Sequence, residues 1–391
     1  MRIILVILLS VIANLSVAQS IRIGLYDNYS TKAFSFAPKS GSYTVFGDST
    51  ESIHIGIGTD VTCKLRKDSI SLSVNNKYYG IFGRVLLQQD SLDSYVELKS
   101  IDPAIKAHTF RDNFELTVSK GKLVLVNDVS MTNYLAGVIE SEGGGGRHLE
   151  YYKVQALISR TYAFKNLNRH KSQGFNLCDA VHCQAYHNMR KYSKTIDQAV
   201  SETKGEVFVD SNYNLIGTYF HANCGGQTSD ASYVWKNSIM YCAPFVDTFC
   251  IHTKQATWKK AVPKSEWEGY LSKQYGLDVR DKFIKEQMYS FKQESRLAFY
   301  VHPSLGIPLR DLRQKFRLKS TFFDVSLQGS TVVLSGRGFG HGIGLCQEGA
   351  MSMATIGYNY KQIGLFYFSG IRIMDYGKLL FFNEEVEDEM P

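Results

Sequence analysis

The spacing of apolar residues changes period once along this chain, and that change limits what it can fold into. From residue 20 to residue 126 apolar and polar residues alternate in short runs, among them IRIGLYD, SYTVFGD, SISLSV, YGIFGRVLLQ and FELTVSKGKLVLVNDV, punctuated by Gly, Asn, Asp and Ser. Successive side chains of a strand point to opposite faces, so this alternation reads as antiparallel sheet. SKGKL, around Gly121, supplies a hairpin turn. At residue 130 the spacing becomes helical. SMTNYLAGVIES opens on a capping Ser or Thr, places Tyr134, Leu135, Val138 and Ile139 on one face, and stops in the glycines at 143–146. A second helix fits 149–167, with Leu149, Ala156 and Ala163 on one stripe and Lys153 and Arg160 on another face. A third, about 193–203, stops at Gly205. EVFVD, a turn at SNYN and LIGTYFH read as a hairpin, and TFFDVSLQGSTVVLSGRG as another. IGLCQEGAMSMATIG and NYKQIGLFYFSG read as helices, and IRIMD as a closing strand. The class is α+β: an antiparallel β-rich N-terminal part, 19–126, packed on a mixed α/β domain, 127–375, with a central groove.

At 391 residues the chain can bury a large core without disulfides. MRIILVILLSVIANLSVAQS has a cationic start, a short apolar run and a small-residue site, so a signal peptide, 1–18, is expected to be cut after Ala18. No other stretch is apolar enough to span a membrane, and the mature chain is expected to be exported, in the periplasm, cell envelope or extracellular space. A net charge of +7 is spread along it. For an exported chain this favours anionic wall polymers over nucleic acid. NEEVEDEMP closes a solvated acidic tail, 376–391.

Four stretches carry residues suited to chemistry. Glu140 and Glu142 end a helix beside glycines that let a bulky ligand approach the backbone. A partly shielded carboxyl there can act as a general acid, and the bland reading is a solvated helix end. In RHKSQGFNLCDAVHCQAYH, His170, Cys178, His182 and Cys183 are all zinc-ligand types. Their spacing leaves structural zinc and a Cys178–Cys183 disulfide equally open. YFHANCGGQTSDASYVW contributes His221 and Cys224; GRGFGHGIGLCQEGA contributes Arg337, His341 and Gln347. The latter has neither the phosphate-loop pattern nor a dinucleotide fingerprint. Cysteines number seven, so at least one is left over from any pairing; Cys242 and Cys250 flank a loop they could close, while Cys63, Cys224 and Cys346 are dispersed.

Together SEGGGG, KVQALISRTYAF, CDAVHCQAY, FHANCGGQT and GFGHGIGLCQEGA resemble, in order, the motifs of the SpoIID/LytB family of bacterial cell-wall proteins. The similarity runs firmly over 110–372. It implies that 127–375 is a catalytic domain and that the protein is a peptidoglycan lytic transglycosylase. Such enzymes cleave the β-1,4 bond between N-acetylmuramic acid and N-acetylglucosamine in peptide-free strands and leave 1,6-anhydro ends. The catalytic carboxyl falls on Glu142. Lys153 and Arg160 match family positions and are expected to orient it or hold the sugar. His221, Arg337, His341 and Gln347 are expected to bind substrate, and the resemblance implies structural zinc at His170, Cys178, His182 and Cys183. Two departures stand out. Glycines replace the Met-Pro that often follows the Ser-Glu pair, and Cys346-Gln-Glu348-Gly-Ala replaces Ser-Gln-Trp-Gly-Ala. The alternative is a non-catalytic wall-binding enhancer of an N-acetylmuramoyl-L-alanine amidase, which would then be a partner. A metal-assisted or Cys-dependent hydrolase would need an open zinc position or a reactive thiol.

Overall fold

The structure, a computed structural model, describes residues 20–48, 52–191 and 193–380. The expected signal peptide and the end of the acidic tail lie outside the described residues. Helix and strand are nearly balanced, at 28% and 32%, and the sheets are largely antiparallel, which makes the fold α+β. The chain divides into two compact units: the residues up to Tyr134 with Asn168–Met189, and Leu135–Leu167 with Arg190 onwards. The sequence places its boundary at 126/127. The structure's falls at 134/135, and 168–189 returns to the first unit because Leu177–Cys178 pairs in parallel with Ser20–Leu25.

The first unit contains a seven-stranded and a six-stranded sheet. Alternation is kept strand by strand. In Lys122–Ser130 the apolar Leu123, Leu125 and Val129 are buried, as are Phe114 and Leu116 on the neighbouring strand Asn113–Ser119. The turn between them is the one the sequence marks, with Lys120 and Gly121 both at positive φ, 49° and 70°.

Helix α1 (Met131–Gly143) begins at the boundary and ends at the first glycine. Helix α2 (Leu149–Lys165) is buried for most of its length. Its His148 cap accepts from the Glu150 N–H at 3.3 Å. Helix α3 (Lys194–Glu202) packs on it. The second unit also holds a three-stranded sheet, Thr257–Pro263, Thr331–Arg337 and Phe323–Gln328. Trp258, Trp267, Tyr300, Leu312 and Phe316 build its core with the surrounding helices.

The hairpin expected over 206–221 closes only at its turn end: Val209 bridges Leu215, Asp210 N–H donates to the Asn214 carbonyl at 2.9 Å and Ile216 N–H to the Phe208 carbonyl at 3.3 Å. The longer ladder of Glu206–Val209 is with Arg372–Asp375. Asp210 draws the SNYN turn inward by accepting from the Asn212 and Asn214 N–H groups, both at 2.9 Å. The chain then departs from sheet geometry until Phe220–His221 pairs in parallel with Leu345–Cys346.

Candidate active site

Two glycine-rich motifs interlock to form the floor of a groove in the second unit. Asn223 and Phe339 exchange backbone hydrogen bonds of 3.0 and 2.8 Å, and the Glu348 N–H donates to the Ala222 carbonyl at 3.0 Å. Gly338 and Gly344 make this approach possible. Both have positive φ, and a Cβ would lie 2.6 Å from the Asn223 carbonyl oxygen at Gly338 and 2.2 Å from that of Tyr219 at Gly344.

The groove has a volume of about 600 Å³, and Glu142, Arg147, Lys254, Gln347, Glu348 and Met351 are among its walls. Glu142 stands in the last turn of α1, a turn without basic residues. Gln347 donates to the Glu142 carbonyl and the Tyr151 hydroxyl, each at 3.4 Å. Burial pushes the Tyr151 phenol up, so it stays a neutral donor at any physiological pH. Arg147 donates to the Gly143 carbonyl at 3.3 Å and so closes the glycine turn onto the end of α1. Glu348 accepts from the Asn223 side chain at 2.7 Å, from the Thr253 hydroxyl, and from the Gln255 N–H at 3.2 Å. A second carboxylate therefore borders the groove at the position where the family often has Trp.

The two cations of α2 do not converge on Glu142. Lys153 pairs with Glu150 and Glu202, both at 2.7 Å, and lies 5.5 Å from the centre of the Tyr360 ring. Arg160 is buried and donates to the carbonyls of Glu206 at 3.0 Å and Val200 at 3.4 Å. Burial lowers its pKa to about 10, so it remains charged. The helical period explains the placement. At about 100° per residue, Lys153 and Arg160 lie on the face opposite Tyr151. Seven-residue spacing marks a shared face without saying what that face meets.

The expected substrate residues also separate. Gln347 lines the groove with Glu142. Arg337 lies instead over Phe322, 3.7 Å from its ring centre, and donates to the Gln293 carbonyl. His221 is buried, with Nδ1 3.2 Å from the Ile343 carbonyl and Nε2 without a partner among the described residues. Its ring is 5.6 Å from that of His341, which is 5.4 Å from half-exposed Trp235. Burial, with Arg313 and Arg296 nearby, lowers the His341 pKa to about 4. Sequence reasoning missed Arg147, Lys254 and Glu348 as groove residues. Only the Arg beside the glycine run carries a signal that could have found one of them.

In the first unit, His170, Cys178, His182 and Cys183 do come together, with ligand atoms within 4.8 Å of one another. His170 Nε2 is 3.4 Å from Cys183 Sγ, and His182 Nδ1 is 3.7 Å from both sulfurs. Gln173 accepts from the other His170 nitrogen, the usual way a ligand imidazole is oriented. Two nitrogens and two sulfurs at this spacing suit a tetrahedral ion.

The chain is similar to the SpoIID family in sequence, over the stretch that carries the glutamate-ended helix α1 and helix α2. Residues 119–209 match the family model described as stage II sporulation protein, so the resemblance carried by the motifs is shown. The chain is 24% identical over 270 residues to stage II sporulation protein D of Bacillus subtilis, covering 64% of this chain and 76% of that one. It is 25% identical to the amidase enhancer of Bacillus subtilis over 88% of this chain and 54% of that one. An uncharacterized protein of Brachyspira hyodysenteriae is 27% identical over 283 residues, 68% of this chain and 72% of that one. No helix among the described residues is long and apolar enough to cross a membrane.

Proposed function

We propose that the protein is an exported peptidoglycan lytic transglycosylase acting on peptide-free glycan strands, with Glu142 as its single general acid and base. The observation that carries this reading is the placement of Glu142 on the wall of an open groove, within the span that matches the family model. Glu142 protonates the glycosidic oxygen as the bond from the N-acetylmuramic acid anomeric carbon breaks. It then takes the proton of the same sugar's 6-hydroxyl as that oxygen attacks the anomeric carbon. The proton count closes without water, and the product is a 1,6-anhydro end. One carboxyl suffices because the nucleophile is part of the substrate, where ordinary glycosidases need two. Gln347 and Arg147 border the same groove and provide donors for sugar hydroxyls. Lys153 and Arg160 support this reading as positioning residues, by holding α2.

Zinc is proposed at His170, Cys178, His182 and Cys183, where it would fix the 168–189 segment and supply no step of the reaction. The second reading, a wall-binding enhancer of an amidase, is favoured by Glu348: a carboxylate held by three donors replaces the aromatic platform on which a sugar would stack. Mass spectrometry of products from peptide-free strands separates the two. Anhydro-ended fragments from the wild type and none from Glu142→Gln support the transglycosylase. Strand binding without cleavage by the wild type supports the enhancer.

A further inference from the structure

Below the groove lies a second cluster of metal-ligand side chains, distinct from the His/Cys loop. Cys224, Asp247, Cys250 and Cys346 present three sulfurs and a carboxylate oxygen within 4.8 Å of one another, all fully buried. Cys224 Sγ is 3.2 Å from Cys250 Sγ and 3.3 Å from Asp247 Oδ2. Sulfurs bound to one tetrahedral zinc at about 2.3 Å lie about 3.8 Å apart, so a small adjustment closes the polyhedron. We propose that these four residues hold a zinc ion in a closed, structural site that ties together the segments forming the groove floor.

Three features of the surroundings support it. First, Asp247 and Cys346 are oriented by donors around them, as ligands of bound metals are. The Tyr367 hydroxyl donates to Asp247 Oδ2 and the Phe249 N–H to Oδ1, each at 2.9 Å. Cys346 Sγ accepts from the N–H groups of Cys224 at 3.3 Å and Gly349 at 3.4 Å. Second, a buried guanidinium adjoins the cluster. Arg296 donates to the Cys224 carbonyl at 2.6 Å and the Gln227 carbonyl at 2.7 Å, and no carboxylate pairs with it among the described residues. A buried cation without a partner is costly. Three thiolates and a carboxylate around a divalent ion carry the net negative charge that would offset it. Third, the ligands come from three separate segments whose neighbours Ala222, Thr253, Gln347 and Glu348 line the groove. A site so enclosed has no open coordination position, so its role is to hold the floor rather than to activate water. The rival pairing, a Cys224–Cys250 disulfide, leaves Cys346, Asp247 and Arg296 buried with no common partner. The loop that Cys242 and Cys250 could close is set aside by the same geometry, because Cys250 meets Cys224 and Cys346.

The inference holds whether or not Glu142 is catalytic, and its test reads metal rather than activity. The mature chain, purified under reducing conditions, is analysed for zinc by elemental mass spectrometry. Zinc that is retained in a Cys178→Ser/Cys183→Ser variant, and lost from it when Cys346→Ser is added, is the expected result. Because Cys346→Ser can simply unfold, cobalt(II) is also loaded onto the Cys178→Ser/Cys183→Ser variant, in which all four buried ligands are intact. The intense thiolate-to-cobalt and visible bands of a tetrahedral site support the proposal. Absence of those bands, or a Cys224–Cys250 disulfide peptide from protein digested without reduction, overturns it.

Discussion

Residues 20–130 and the groove floor are ordered in different ways. The sheets are ordered by repetition: each strand is fixed by a ladder of backbone bonds and by alternate side chains turned inward, so no single residue decides the outcome. The groove floor has almost no ladder. Its strands Phe220–His221 and Leu345–Cys346 are two residues long. Order there comes from glycines with room for nothing larger, and from buried side chains such as Asn223, Arg160 and Arg296 that satisfy backbone carbonyls. The consequence is asymmetric tolerance. In the sheets a substitution is absorbed locally. Around the groove, residues that touch no substrate are as critical to it as those that do.

The largest effect separates chemistry from order. Glu142→Gln should lower cleavage of peptide-free strands by about 10²–10⁴-fold with an unchanged melting temperature. A variant that still cuts would remove Glu142 from the mechanism. Next comes a direct contrast between the two regions. Gly121 and Gly344 share the same φ of +70°, but a Cβ at Gly121 meets nothing within 4 Å while one at Gly344 would strike the Tyr219 carbonyl. Gly121→Ala should therefore cost about 1 kcal/mol, the left-handed backbone penalty alone. Gly344→Ala should cost about 3 kcal/mol, because overpacking is added. Equal losses in chemical denaturation would mean that the groove floor relaxes as freely as a hairpin turn.

The same difference explains what could be read in the sequence. Alternation in FELTVSKGKLVLVNDV gives both strands, the turn and the inward face, since these depend on neighbours a few residues away. The His170–Cys183 cluster is legible for the same reason, its ligands lying within one short loop. The buried Cys224, Asp247, Cys250 and Cys346 cluster is not, since its outer members are 122 residues apart and only tertiary structure joins them. Lys153 and Arg160 show the limit from the other side. Periodicity puts them on one face of α2, and only the packing of α3 and Glu206 reveals which way that face turns. The 206–221 hairpin is kept only at its turn end, and the longer ladder of Glu206–Val209 is made with a strand that arrives from residue 372.

Arg160 tests that lesson. If it holds α2 to the carbonyls of Val200 and Glu206, Arg160→Met leaves them unpaired and should cost about 2 kcal/mol of stability. The cleavage rate per folded molecule should stay unchanged. Loss of cleavage without loss of stability would instead place the guanidinium at the substrate.

A last contrast separates the two regions by pH. His341, buried beside His221 and Trp235, is held near 4 against an ordinary 6.5, so between these values the unfolded chain binds the proton that the folded one refuses. Stability of the second unit should thus fall as pH drops below 6.5 and stop changing on this account near 4, a loss of up to about 3 kcal/mol. Glu115 in the sheet is the opposite kind of group. Burial alone would raise its pKa, but bonds from Arg22 at 2.6 Å and Arg84 at 2.5 Å outweigh that and hold it below 4.5. Its contribution is present above 4.5 and is lost only as pH falls through the lowered folded value. With both guanidinium groups partly in solvent it is worth under about 1 kcal/mol. All three Trp residues, 235, 258 and 267, lie in the second unit, so Trp fluorescence follows that unit alone, while amide exchange at Leu116 and Leu125 follows the sheet. On acidification the fluorescence midpoint should move first and the sheet amides later. His341→Gln should flatten the first dependence and Glu115→Gln the second. A single pH dependence shared by both probes would show that the two regions unfold as one, and would erase the contrast between ladder and glycine turn as a thermodynamic one.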